Sequence, residues 1–320
     1  MVESARACLF VALATVVMFA PAQARDLAAY GPFGPEGPRM REQLWVLPSG
    51  EPGHALRATV FRPDDPPGAE PAPRPLVVIN HGTSAATRLS VAMPVYYWLS
   101  KWFVDRGYVV ALPQRRGHGA TGGPLVEAVG NCADPDHARS GAIAADDIEA
   151  AVDFLSREAF VAPRETIVVG ISTGGWAALA LAARNPENVA GVINIAGGRG
   201  GHAGGTRNAV CAESRLIEAA AAYGSTARIP TLWLYAENDS YFGPKLASAM
   251  ADAWRGNGAE AELHILPPYG EEGHDIANDR AGWNVWGTLA DGFLGTHRLP
   301  QIASGGGVSE IATAAETGAE

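Results

Sequence analysis

Cysteine is scarce in this sequence. Three residues in 320 are too few for a disulfide-built scaffold, and they lack the CxxC spacing of a zinc ribbon or a thioredoxin-type centre. Positive charge is also short: Lys plus Arg total 24 against 34 Asp plus Glu, for a net charge of −10. That balance argues against nucleic acid or an anionic membrane surface as the main partner, since both call for a basic face. Glycine and proline, 38 and 23 residues, stay below the low-complexity range of roughly 25–30%. Beyond the N-terminus no apolar run approaches the ~20 residues that a bilayer span needs. No set of histidines and carboxylates has metal-ligand spacing, and no internal repeat is visible. What is present is ordinary globular composition, 47% hydrophobic and 18% charged. The length allows one large α/β domain or two small ones.

The first 24 residues read as an export signal. Arg6 lies in the leader, residues 8–20 are an apolar run, and Pro21-Ala22-Gln23-Ala24 supplies an A-x-A cleavage site before Arg25. Cys8 would leave with the signal, and the remaining 320 − 24 = 296 residues keep the charge of −10, because the signal holds one Glu and one Arg. No membrane attachment is expected after cleavage. Export leads to an oxidising compartment, periplasmic or extracellular, in which Cys132 and Cys211 are an even pair.

From there the chain falls into a rhythm. Residues 31–38 (GPFGPEGP) look like an entry loop, 55–61 alternate well enough for an edge strand, and the proline-rich segment 62–75 reads as a surface connection. Continuous Val/Ile/Leu-rich runs follow at 76–80, 108–112, 166–171, 190–195, 230–236 and 261–266, as in buried parallel strands. Between them lie helical segments near 94–106, 139–158, 174–185, 212–223, 244–255 and 280–294. Such alternation predicts an α/β protein with a mostly parallel central sheet and helices on both faces. Nothing marks a boundary inside residues 25–300. The tail 301–320 has no core-forming pattern and is expected to be disordered.

The strongest chemical signal is Gly170-Ile171-Ser172-Thr173-Gly174, directly after a predicted strand and directly before a predicted helix. This is the G-x-S-x-G nucleophile elbow in the context it requires. A serine alcohol needs a base and an orienting acid to attack at neutral pH. In this arrangement the order is Ser, then Asp or Glu, then His. Asp239 follows the strand 230–236 and His274 follows 261–266, so both order and placement fit; Glu237 is the rival acid. His264 lies within a strand and His297 after the last helix, where structural roles are expected. The Thr173 backbone N–H would point at an oxyanion beside Ser172. A second donor, the Thr83 N–H, comes from the turn Asn80-His81-Gly82-Thr83.

These residues resemble the α/β-hydrolase superfamily over roughly 44–298, through His81-Gly82, Arg116-Gly117-His118-Gly119, the elbow at Ser172 and the late Asp239/His274 pair. Within it the chain looks most like the dienelactone-hydrolase-like and prolyl-oligopeptidase-like serine hydrolases. It departs from true dienelactone hydrolases, which carry cysteine at the elbow, and from haloalkane dehalogenases, which carry aspartate. The resemblance implies a serine hydrolase, exported on the strength of the leader, and expected to be a carboxylesterase acting on a small-molecule ester without a cofactor. The alternatives are a peptidase or amidase of the prolyl-oligopeptidase type, or a non-catalytic exported binding protein of the same fold.

Weaker signals point to structure. Gly197–Gly205 lacks the Gly-Lys-Ser/Thr of a phosphate loop and reads as a flexible loop over the active-site edge. Arg115, Arg116, Arg199 and Arg207 sit on loops at carboxyl ends of strands, where they would pair with carboxylates or hold an anionic substrate. Trp98, Trp102, Trp176 and Trp233 are expected in the core. Cys132 and Cys211 lie on loops that emerge at the same sheet edge as Ser172, which predicts a disulfide.

Overall fold

A computed structural model describes residues 30–299, except for 66, 67, 69–71 and 85. The expected signal (1–24) and tail (301–320) therefore lie outside the described residues. The elements run β1 (Gly31–Phe33), β2 (Gln43–Pro48), β3 (Ala55–Phe61), β4 (Arg74–Asn80), α1 (Tyr97–Val104), β5 (Val109–Gln114), α2 (His137–Leu155), β6 (Val161–Ile171) and α3 (Thr173–Ala182). They continue with β7 (Val189–Ile195), α4 (Glu213–Thr226), β8 (Thr231–Ala236), α5 (Pro244–Arg255), β9 (Glu262–Leu266) and α6 (Trp283–Thr296).

The strands form one sheet in the order β1-β2-β3-β5-β4-β6-β7-β8-β9. From β5 to β9 all neighbours are parallel, while β1, β2 and β3 add an antiparallel wing. Two expectations change here. The segment 31–38 is not all loop, because Gly31–Phe33 pairs with β2 at Gly31↔Val46 and Phe33↔Leu44. Nor is 55–61 an edge strand: it is flanked by β2 and β5. The edge falls to β1, where a proline is tolerated at Pro32.

Side-chain alternation along the parallel strands divides the core in two. Leu76, Val78, Val168, Trp233 and Tyr235 face a layer built from α2, α3, α4 and α5. Val77, Ile79, Val169, Leu232 and Leu234 face α1 and α6. The sheet is thus buried on both faces, which is why its strands read as continuous apolar runs. Trp102, Trp176 and Trp233 are buried as expected, whereas Trp98 is only half-buried. Among the described residues no helix is long and apolar enough to cross a membrane.

Candidate active site

The carboxyl ends of β6, β7 and β8 lie side by side, and the predicted catalytic residues follow β6, β8 and β9. Ser172 stands between β6 and α3 with φ 55° and ψ −123°, a conformation that a residue with a side chain adopts only under strain. Backbone bonds fix it there: its N–H donates to the Ile195 carbonyl at 3.1 Å, and its carbonyl accepts from Gly198 N at 3.1 Å and Trp176 N at 3.0 Å. Two glycines make room. A Cβ on Gly174 would collide with the Asn80 carbonyl, and one on Gly82 would lie 2.6 Å from Ser172 Cβ and 3.4 Å from its Oγ. The end of β4 and the start of α3 are therefore in direct contact around the serine.

Asp239 is buried, 2% exposed, and each of its oxygens has a separate task. Oδ1 accepts from the Tyr241 and Phe242 N–H groups at 2.7 and 3.0 Å, and Oδ2 faces His274 Nδ1 at 3.0 Å. The rival Glu237 is exposed; the carboxylate beside the imidazole is that of Asp239. This contact places the proton on Nδ1 and leaves Nε2 as the ring's acceptor. Gly198 links this pair to the serine. Its N–H bonds the Ser172 carbonyl, a Cβ on it would lie 2.6 Å from the Phe242 ring, and that ring lies 5.7 Å from the His274 ring. Among the described residues no hydrogen bond joins Ser172 Oγ to His274. Such bonds are often long in free enzymes and tighten with substrate.

The Thr83 and Thr173 N–H groups have no acceptor among the described residues. Thr173 opens α3, where the first N–H groups of a helix lack intrahelical partners and favour negative charge.

Several residues around the site were not singled out from the sequence. Tyr241 stacks on His274 with ring centroids 4.3 Å apart, and His202 stacks on Tyr241 at 3.5 Å. Glu272 accepts from His274 N at 3.2 Å, from Ser240 N at 3.0 Å and from Ser240 Oγ, and pairs with Arg207 at 3.1 Å. Burial pushes the Glu272 carboxyl up, but the Ser240 hydrogen bonds, the His274 N–H and Arg207 outweigh it and hold it below its ordinary value. The Tyr96 hydroxyl accepts from Gly82 N at 3.3 Å, and burial raises this phenol to about 12. The spacing Glu272-Gly273-His274 was a usable signal for one of these contacts, because Glu272 caps the short turn that carries the histidine.

Behind the site lies a buried charge cluster. The Arg115 guanidinium, 0% exposed, pairs with Glu127, 2% exposed, at 2.8 Å, and Arg199 approaches the same carboxylate at 3.5 Å. Burial pushes the Glu127 carboxyl up, but the charge and hydrogen bonds of Arg115, then Arg199 and His118, overcome this and hold it at about 2. His118 is lowered to about 4, mainly by burial and then by Arg115. His81 is lowered well below its ordinary value by burial, Arg115 and His118. Arg116 is paired with Asp147 and Glu51. All four loop arginines thus have carboxylate partners.

The Gly197–Gly205 loop does lie beside the site, but it is held in place. Asn208 N donates to the Ser240 carbonyl at 2.7 Å and His202 Nε2 bonds Ser240 Oγ at 2.8 Å. A disulfide joins Cys132 to Cys211, with Cα atoms 4.8 Å apart. The predicted bridge is therefore present, and it anchors the loop's far end. Among the described residues no group of three or more His, Cys, Asp and Glu could hold a metal ion.

Comparisons with known proteins agree with this architecture. Residues 71–221 match the family model described as serine aminopeptidase, S33. No curated protein sequence matches. Among solved structures, an acylaminoacyl peptidase from Pyrococcus horikoshii is similar at a TM-score of 0.59 and 14% identity, over 87% of this chain and 43% of its own. A Pyrococcus furiosus esterase is similar at 0.54 and 15%, over 85% of this chain and 94% of its own. A Mycobacterium tuberculosis puromycin-hydrolyzing peptidase is similar at 0.55 and 20%, over 81% of this chain and 39% of its own. The chain thus spans less than half the length of either peptidase. The sheet order, the elbow at Ser172 and the match over residues 71–221 give this chain the α/β-hydrolase fold.

Proposed function

We propose that this protein is an exported serine hydrolase that cleaves a small carboxylic ester by acyl transfer to Ser172. One observation carries the reading: a buried Asp239 carboxylate 3.0 Å from His274 Nδ1, at the same sheet edge as a serine held at a strained elbow. A fold maintained for binding alone has no need of a strained hydroxyl beside an oriented imidazole.

In the first half-reaction His274 Nε2 takes the Ser172 proton as Oγ attacks the ester carbonyl. The tetrahedral oxygen accepts hydrogen bonds from the Thr83 and Thr173 N–H groups, and Asp239 holds the imidazolium by its Nδ1–H. Collapse breaks the bond to the alcohol oxygen, which leaves with the proton from His274. Water then attacks the acyl-enzyme with His274 again as base, releasing the acid and restoring Ser172. No cofactor enters these steps. Export rests on the leader at residues 1–24 and is supported by the Cys132–Cys211 disulfide, which persists in oxidising compartments.

A second reading, peptide or amide cleavage, is favoured by the aminopeptidase description of the matched family model. A fluorophosphonate probe should label the wild type and not Ser172→Ala. Turnover of p-nitrophenyl esters of graded acyl length, compared with aminoacyl anilides, then separates esterase from peptidase. Full labelling of Ser172→Ala would place the nucleophile elsewhere, and an unlabelled wild type would favour a binding protein.

A further inference from the structure

The two backbone donors assigned to the oxyanion come from separate pieces of chain, the turn after β4 and the first residue of α3. The two pieces touch at Gly82 and Gly174, and the exact separation of the donors depends on what else holds both. The distance between two such donors decides whether both reach one oxygen, and a misplacement on the order of 1 Å costs about 100-fold in rate.

One side chain touches both pieces. Arg115, just past the end of β5, donates from Nη1 to the His81 carbonyl at 2.8 Å and from Nη2 towards Thr173 Oγ1 at 3.4 Å. Its backbone N–H grips the same histidine, donating to His81 Nε2 at 3.2 Å. The guanidinium is itself immobilised, because Nε and Nη2 donate to the two Glu127 oxygens at 2.8 and 3.2 Å. His81 precedes Gly82, whose Cα rests against Ser172, so a shift of the His81 carbonyl carries the Thr83 amide with it. A planar fork held at both edges by buried partners is a rigid spacer, and a lysine could not reproduce it.

We propose that Arg115, pinned by Glu127, is a positioning residue that sets the separation of the Thr83 and Thr173 N–H donors. The inference rests on the assignment of those donors to the oxyanion. Arg115 itself touches no substrate. Its effect is felt where charge develops on the carbonyl oxygen and not where the ground-state ester binds.

The test is the double variant Arg115→Met/Glu127→Gln. It removes one positive and one negative charge together, so the cluster keeps its net charge. Replacing a buried pair by neutral residues is often neutral for stability. The expected result is a fall in kcat of about 10–100-fold with KM within about twofold, and a matching loss of affinity for a trifluoromethyl ketone that mimics the tetrahedral state. Fluorophosphonate labelling of Ser172 still goes to completion, more slowly. A folded double variant with unchanged kcat and unchanged ketone affinity would overturn the proposal, as would a rise in KM alone. If the double variant does not fold, Arg115→Lys carries the test, since it keeps a positive charge beside Glu127 and loses the planar fork. A kcat reduced at least about fivefold at constant KM supports the spacer, and an unchanged kcat overturns it. Failure of the wild type to label with fluorophosphonate would instead count against the hydrolase reading itself.

Discussion

Replacing Asp239 by asparagine isolates one proton. In the wild type, Oδ1 is occupied by the Tyr241 and Phe242 N–H groups and Oδ2 by His274 Nδ1. An asparagine of the same shape keeps its carbonyl towards the two backbone donors, because turning the amide would set N–H against N–H twice. Its NH₂ group then faces Nδ1 and donates to it. The imidazole must carry its proton on Nε2, where it can no longer accept from Ser172. The expected loss is therefore that of the wrong tautomer, about 10⁴ in kcat, or roughly 5.4 kcal/mol in barrier. Side-chain volume and backbone bonds are conserved, so KM and the melting temperature should change little. The assay is steady-state hydrolysis of a p-nitrophenyl ester, with active sites counted by fluorophosphonate labelling. A loss below about tenfold would refute the reasoning. Loss in Glu237→Gln with retention in Asp239→Asn would do so more directly, since Glu237 is exposed.

Other perturbations test neighbouring parts of the same argument. Removing both Cys132 and Cys211 as serines opens a loop of separation 79; chain-entropy arithmetic predicts a loss of about 4–5 kcal/mol, read by urea unfolding, and no change on adding reductant to the wild type would contradict it. Gly174→Ala should give little soluble protein or a large stability loss, because its Cβ would strike the Asn80 backbone; a well-folded, active variant would disprove the close contact. Glu127, held at about 2 when folded against an ordinary 4.5, contributes stability that is fully present above the ordinary value and is lost as pH falls from there through about 2. Unfolding measured from pH 6 down to 2 should show this component vanish in Glu127→Gln, and parallel profiles for variant and wild type would count against it. Tyr241→Ala removes the ring stacked on His274 and should lower kcat several-fold more than Tyr241→Phe, which keeps it.

The parts of this molecule that could be read from its sequence are those whose physics is local. The parallel strands announce themselves because both faces are buried, as at Val77 and Val78, which face opposite layers yet are both 0% exposed. The elbow is legible because its pattern fits within five residues: Gly170 makes room for the nearby Gly174 carbonyl, even though Gly174 itself makes room for the distant Asn80. Elements that exist through a partner were harder to see. Gly31–Phe33 is three residues long with a proline at its centre, and it is a strand only because β2 lies beside it. β6 begins at Val161, well before its apolar run, because Val161 bridges to Arg74 across a register shift. The same division holds in the site. The order of Ser172, Asp239 and His274 is a sequence property. The stacking of His202 on Tyr241 and of Tyr241 on His274 depends on how loops meet, which no spacing encodes, whereas the grip of Glu272 on His274 N is local to one turn.

That meeting of loops explains why a glycine-rich segment can sit beside the Asp239–His274 pair without blurring it. The conformational freedom of Gly197–Gly205 would cost entropy on ordering, and a loose loop would leave His274 free to rock about its bond to Asp239. Each exit from that freedom is closed by a different kind of contact. Gly198 is tied at one end to the Ser172 carbonyl, and Cys211 is tied at the other to Cys132. Between them His202 and Asn208 bond Ser240, and Arg207 pairs with the Glu272 that holds His274 N. The glycines therefore serve close approach, to Phe242 at Gly198 and to Tyr241 at Gly201, and the bonds supply the rigidity that glycine does not. A base that must pass one proton between two fixed oxygens tolerates little angular error. Among the described residues the imidazole it borders bonds Asp239 alone, so a loop whose order is enforced from four sides is what keeps that ring's surroundings fixed.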